Sequence, residues 1–323
     1  MPKSQAAFIS DNHNIEQIYT SEQRAELAAL ADFRPAVLNA RNFDSEDVSG
    51  LEYLFSTWGM PALTPEQIAK MPKLRGVFYA AGATDSFAMP FLEKGIKVVS
   101  AWKANAVPVA EFTVAQIILS MKNYFQFPRI MSGAEGPNNR SKVQVGPGCY
   151  GDTVALIGDG MIASLVKEKL KAYDLNVLTV SSFPEKRTVS LDEAFSKAFV
   201  VSNHLFNHPS NQGVLTEKLF ASMRQNATFI NTGRGAQVDE PGLIAALRKR
   251  PDLTALLDVT WPEPPAAESP LWTLPNVFLT PHIAGSLNDE VHRMAAYVID
   301  DFKRFLDGKP LEYEVKIEHL QQK

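Results

Sequence analysis

The sequence predicts an α/β protein built from two doubly wound parallel-sheet domains, one inserted into the other. Three observations predict it. Short apolar runs alternate with stretches of helical spacing, a pattern that puts strands in a parallel sheet with helices on both faces. The alternation occurs in two successive series, parted by a long helix candidate and a stretch rich in Gly, Pro, Asn and Ser over 127–149, read as an exposed arm or loop. The chain of 323 residues is also long enough for two domains of ordinary size.

The first series places strands at 6–10, 51–55, 74–79 and 96–100, with helices at 21–31 and 64–71. Thr64-Pro65-Glu66-Gln67 marks the start of the second helix, because Thr can cap free amides and Pro suits the first helical position. A helix over 108–123 opens the second series, and strands follow at 153–157, 176–180, 198–201, 227–230, 254–257 and 277–279. An amphipathic stretch at 288–306 is long enough to cross back to the first domain. The expected boundaries are residues 1–102 plus 293–323 for one domain and 103–292 for the inserted one.

Composition narrows the function. With 45% hydrophobic and 21% charged residues the chain reads as folded, and a net charge of -4 gives no basic footprint for nucleic acid. Cys149 is the single cysteine, so no internal disulfide can form and a reducing compartment is expected. The start, Met1-Pro2-Lys3-Ser4-Gln5, lacks the apolar core of a signal peptide, and no run of 18 apolar residues suggests a membrane span. The expectation is a cytoplasmic protein with neither nucleic acid nor membrane as partner.

Gly158-Asp159-Gly160-Met161-Ile162-Ala163 follows a strand and opens a helix over 162–173. In that context it reads as the G-x-G-x-x-G/A turn of a Rossmann dinucleotide-binding domain. Small residues permit the tight turn and let the backbone approach a pyrophosphate, while the helix N-terminus offers free amides and partial positive charge. Asp159 is off-pattern, because it brings negative charge close to the phosphates unless it points outward. The acidic residue expected about twenty positions on, to hold the ribose hydroxyls, is absent. Instead the second strand ends in Ser181-Ser182-Phe183-Pro184-Glu185-Lys186-Arg187. Ser181, Ser182, Lys186 and Arg187 could contact a 2′-phosphate, or the two cations could be solvated loop charges. The cofactor is therefore NAD or NADP, with a lean toward NADP.

Three patterns near the C-terminal end carry the chemistry: Asn231-Thr232-Gly233-Arg234-Gly235, Asp258-Val259-Thr260-Trp261-Pro262-Glu263, and Thr280-Pro281-His282-Ile283-Ala284-Gly285. Each follows an apolar run that reads as a buried strand ending in a turn, and ligands of open parallel sheets bind beyond the carboxyl ends of the strands. A guanidinium, a carboxylate and an imidazole delivered there suit a small anionic carbonyl compound.

From 105 to 285 the chain resembles the D-isomer-specific 2-hydroxyacid dehydrogenases. The likeness rests on Asn105-Ala106-Val107-Pro108-Val109-Ala110-Glu111, the Gly158 loop, Val200-Val201-Ser202-Asn203-His204 and the Arg234, Glu263 and His282 patterns, with a weaker match at Ala81-Gly82-Ala83-Thr84-Asp85. The resemblance implies a Rossmann domain inserted into a flavodoxin-like substrate domain, and hydride transfer between NAD(P)H and a small 2-oxo acid such as glyoxylate or hydroxypyruvate. It implies that Arg234 binds the substrate carboxylate and polarises the keto oxygen, and that His282, held by Glu263, exchanges a proton with that oxygen. Gly82 and Ala83 would hold the carboxylate through their backbone, and Asp258 would take the nicotinamide carboxamide. Thr232 and Gly233 would lie along the nicotinamide and His204 near the ribose side of the cofactor. No metal is called for.

The same resemblance implies a cleft closed by hinge motion, and a two-fold homodimer formed through the helix from Pro108 and the arm to Cys149. Formate and phosphite dehydrogenases would need a glutamine in place of Glu263 and a lysine near Gly82, and the chain has neither. Asp159 and Met161 keep open an alternative, a dinucleotide-sensing corepressor-like protein on the same scaffold. His13, His208, His292 and His319 fit no motif and read as surface residues.

Overall fold

The computed structural model describes residues 3–12, 14–131 and 146–321, and it divides into two compact units, Met1–Asn105 with Ser286–Lys323 and Ala106–Gly285. In chain order the elements begin β1 (Gln5–Ile9), α1 (Ile15–Ile18), α2 (Ser21–Leu30), β2 (Asp32–Phe33) and β3 (Leu51–Ser56). Next come α3 (Pro65–Ala69), β4 (Gly76–Tyr79), α4 (Met89–Glu93), β5 (Lys97–Ser100), α5 (Trp102–Met121) and α6 (Phe127–Met131). The second series runs β6 (Tyr150–Ile157), α7 (Met161–Leu170), β7 (Asp174–Val180), α8 (Leu191–Lys197), β8 (Val200–Asn203) and α9 (Glu217–Ala221). It continues with β9 (Thr228–Asn231), α10 (Glu240–Lys249), β10 (Thr254–Leu257) and β11 (Val277–Leu279), before α11 (Val291–Leu306), β12 (Glu314–Val315) and α12 (Ile317–Gln321).

The first unit holds a six-stranded sheet in the order β12-β5-β4-β3-β1-β2, parallel except for β12, which pairs antiparallel with β5. Its parallel strands follow the flavodoxin-like order 2-1-3-4-5. Successive residues of β4 feed opposite faces: Val77 packs with Leu54 and Val98, while Phe78 packs with Phe55, Val99 and the buried stripe Met294, Val298 and Phe302 of α11. Burial on both faces is why these strands read as unbroken apolar runs. The Phe302 ring meets Phe55 and Phe78 edge-on, each at 5.0 Å.

The second unit holds six parallel strands in the order β11-β10-β9-β8-β6-β7. Here too both faces are covered, one by a core around Phe195, Phe220 and Phe229, the other by a core around Val166, Ile230 and Leu256. Because β6 lies between β7 and β8, the connection out of β6 runs to one side, toward β7, and the connection out of β8 runs to the other, toward β9. The crevice such a reversal opens lies at the carboxyl ends of β6 and β8.

Several expectations need correction. α5 starts at Trp102, six residues before the expected start, and carries Pro108 inside it. Proline suits a first turn, which is why Pro108 marks a start in the sequence, but here it sits in the helix interior and costs one backbone hydrogen bond. α5 is long and apolar enough to span a membrane by composition, but it buries Ala110, Ile117 and Met121 against the second sheet and is a core helix. Part of the stretch read as a loop, Phe127–Met131, is helical. The rest of that arm, 132–145, and His13 lie outside the described residues. β2 and β12, two residues each, are too short to leave a pattern in the sequence. His292, read as a surface residue, is partly buried, with Nδ1 3.0 Å from the Ile18 carbonyl oxygen.

Candidate active site

The Gly-rich loop joins β6 to α7 at the carboxyl end of the sheet. Gly158 has φ +120°, a conformation that side-chain-bearing residues rarely adopt, and a Cβ there would lie 2.4 Å from the His204 carbonyl oxygen. Gly160 caps α7, and a Cβ on it would enter open space with no atom within 4 Å. The first turn of α7, which opens with Met161 and Ile162, has no side-chain cap on its amides. Open space beside uncapped helix amides is the cradle a pyrophosphate needs, so this loop fits a dinucleotide.

Asp159 does not crowd that cradle. Its carboxylate accepts the Ser181 hydroxyl at 2.7 Å and the Ser182 amide at 3.1 Å, both just past the end of β7. Burial pushes its pKa up, but the bonds from Ser181 and Ser182 outweigh burial and hold the carboxyl below its usual range. The Arg187 Nε donates to the Ser181 carbonyl at 3.0 Å, and Lys186 sits 4.2 Å over the Phe183 ring. His204, at the end of β8, is buried; its Nε2 lies 2.9 Å from the Ser202 hydroxyl, and its Nδ1 has no hydrogen-bond partner.

Three adjacent strand ends carry the expected catalytic groups. β9, β10 and β11 run in register through Asn231, Leu257 and Leu279, so Arg234, Asp258 and His282 all emerge beyond the same edge. The His282 Nδ1 lies 2.6 Å from the Glu263 Oε1, and both side chains reach solvent, at 53% and 40% exposure. A contact this exposed adds little to stability. His282 itself has φ +56°, an uncommon conformation for histidine. The buried Asp258 supports it: Oδ1 accepts the Thr280 hydroxyl at 2.6 Å and the Ile283 amide at 2.8 Å, and Oδ2 accepts the Ala284 amide at 2.9 Å. Three of about four acceptor positions are used, which leaves one for a ligand amide.

Arg234 is exposed, and its guanidinium donates to the Gly233 carbonyl at 2.9 Å. The turn that presents it is pinned by Gln237, which lies outside the sequence patterns, and by Asn203 and Asn231, which stand in them with no assigned role. The Asn203 Nδ2 donates to the Asn231 Oδ1 at 2.9 Å and to the Gln237 Oε1 at 2.7 Å, and Gln237 in turn donates to the carbonyls of Leu205 and Phe206. The Asn231 Oδ1 also accepts the Gly233 amide at 3.1 Å. The one signal available was a polar residue closing each of two apolar strands. Thr232 is buried, with its hydroxyl 3.0 Å from that of Thr113 on α5. A Cβ on Gly233 would come 2.9 Å from the Asn203 Nδ2, so this site also needs glycine.

In the first unit, Gly82 and Ala83 follow β4, with the Ser100 hydroxyl 2.9 Å from the Ala81 carbonyl and 2.7 Å from that of Gly82. Cys149 is partly buried, and burial pushes its thiol pKa up, away from the reactive thiolate. Among the described residues no group of three or more His, Cys, Asp or Glu is placed to hold a metal ion.

Residues 114–284, more than half of the chain, match the family D-isomer specific 2-hydroxyacid dehydrogenase, NAD binding domain. The chain is 28% identical over 270 residues to a D-3-phosphoglycerate dehydrogenase of Methanocaldococcus jannaschii, a match covering 80% of this chain and 51% of that protein. It is 27% identical over 265 residues to glyoxylate/hydroxypyruvate reductase B of Yersinia enterocolitica, covering 79% and 81%. The chain spans about half the length of the bacterial and archaeal phosphoglycerate dehydrogenases it matches. In fold it is similar to a solved D-2-hydroxyisocaproate dehydrogenase, with a TM-score of 0.76 at 19% identity over 96% of this chain and 99% of the other.

Proposed function

The chain belongs to the D-isomer specific 2-hydroxyacid dehydrogenase family, and from that premise we propose that it moves a hydride between NAD(P)H and a small 2-oxo acid or D-2-hydroxy acid. The observation that carries this reading is the 2.6 Å contact of His282 with Glu263 at a strand edge shared with Arg234. When bound, the nicotinamide supplies or receives the hydride. Arg234 offers a planar fork of donors to the substrate carboxylate and keto oxygen. Glu263 accepts the Nδ1 proton of His282, which fixes the ring and leaves Nε2 to exchange a proton with the substrate oxygen. Asp258 keeps its remaining acceptor position for the carboxamide, and Thr232 and Gly233 line the approach. The backbone at Gly82 and Ala83 is the further proposed contact for the carboxylate.

The amides of α7 hold the pyrophosphate, and His204 closes the loop from behind. The corepressor-like alternative leaned on Asp159 and Met161; the bonding of the Asp159 carboxylate at the end of β7 supports a loop open to the pyrophosphate. A two-fold homodimer formed through α5, on and just past which Leu119 and Tyr124 are exposed, is also proposed; light scattering would test it.

The experiment incubates the protein with NADH or NADPH and a panel of 2-oxo acids that includes glyoxylate and hydroxypyruvate. We expect cofactor oxidation with at least one acid, and a drop in turnover of about 10²–10⁴-fold in His282→Asn. Background oxidation with every acid, or undiminished turnover in the variant, would overturn the reading.

A further inference from the structure

We propose that Asp159 supplies from the Gly-rich loop the ribose-binding carboxylate that the end of β7 lacks, so that the site takes NADH and rejects the 2′-phosphate of NADPH. This inference rests on the dehydrogenase reading and deepens it. In sheets of this type an acidic residue at the end of the second strand receives the ribose hydroxyls. Here that strand end carries Ser181 and Ser182, which alone would favour a phosphate. The position of Asp159 argues the other way. Asp159 Oδ2 lies 2.7 Å from the Ser181 hydroxyl and Oδ1 lies 3.1 Å from the Ser182 amide, so the acid reaches the strand end from the Gly-rich loop.

Two consequences follow for a nucleotide. Ser181 and Ser182 are 8% and 4% exposed, and their donors already point at Asp159, so they are not spare ligands for a phosphate. Asp159 itself is exposed, so its remaining acceptor positions are open to ribose hydroxyls. A 2′-phosphate, with about -1.5 to -2 charge, would stand against an ionised carboxylate and would have to strip away its two donors. The Nε of Arg187 is committed to the Ser181 carbonyl, Lys186 rests on Phe183, and Glu185 adds negative charge to the same turn.

The test is calorimetric titration of the full-length protein with NADH and, separately, NADPH, without substrate, so that the readout is binding. We expect NADH to bind at least about tenfold more tightly, the equivalent of one charge contact. In Asp159→Asn, which keeps the shape, and Asp159→Ser, which removes it, NADPH should gain and the preference should shrink toward parity. Equal or tighter binding of NADPH by the parent protein overturns the inference, as does an unchanged preference in both variants. Failure to bind either nucleotide would overturn the dehydrogenase reading and this inference with it, whereas binding without discrimination overturns this inference alone.

Discussion

The backbone amide of His282 donates to the carbonyl of Asp258 at 3.1 Å, and the Asp258 carboxylate takes the amides of the two residues that follow His282. This is how an imidazole is held in a left-handed conformation, which costs about 1–3 kcal/mol and persists only where its surroundings over-determine it. A buried acid has here become the mould for the turn that carries His282.

Asp258→Asn should therefore act through His282. An amide in its place turns an NH₂ toward a backbone amide and strands at least one donor, at about 1–3 kcal/mol. We expect a lower melting temperature and, in the folded fraction, a turnover loss that exceeds any change in KM. Calorimetry with steady-state kinetics reads both; a variant that melts early yet turns over at the parental rate would show that the turn does not depend on this acid.

Gly235 links the Arg234 turn to the loop of Glu263. A Cβ at this glycine would lie 2.0 Å from the carbonyl carbon and oxygen of Thr260, both backbone atoms that cannot rotate aside. Gly235→Ala must push the two turns apart, and overpacking of this kind costs about 1–3 kcal/mol or more. The urea midpoint should fall and activity should fall with it. Full stability in the alanine variant would mean that the two turns move independently.

Arg234→Lys separates fork from charge. The side chain is exposed and its one structural bond is to its own neighbour, so stability should be unchanged. Lysine keeps the cation but loses the planar pair of donors, and a charge-assisted bond is worth about 1.5–3 kcal/mol. The expected loss in kcat/KM is about ten- to hundredfold, with most of it in substrate affinity. Parental kcat/KM in the lysine variant would remove Arg234 from the substrate site.

Sequence alone reveals the fold where burial leaves a periodic trace. β4, β8, β9 and β10 are buried through their length because both faces are covered, and each carries an apolar run that shows in the sequence. The pairing of His282 with Glu263 was expected from the family resemblance that their local patterns carry, and the two side chains do meet. What escaped was set by contacts between segments far apart in the chain. Nothing local tells Asp159 to reach Ser181, 22 residues away, or Asn203 to bond Gln237 across 34. Helix starts failed for a different reason: the proline at 108 is compatible with a first turn and with a buried interior, and only packing decides between them.

His204 offers a prediction in pH. Burial of its ring holds the pKa at about 4, below the ordinary 6.5, so the folded protein keeps it neutral while the unfolded chain protonates it. Between those values the unfolded state binds more protons, and stability therefore rises with pH across that window and is complete above about 6.5. One such group contributes a slope of up to about 1.4 kcal/mol per pH unit. His204→Gln should lower stability at pH 7.5 by losing the bond to Ser202, yet narrow the gap at pH 5, where the parent carries the neutral-histidine penalty. Urea unfolding of both proteins at the two pH values measures the difference in slope, and parallel pH profiles would mean that the ring is protonated, or solvated, in the native state.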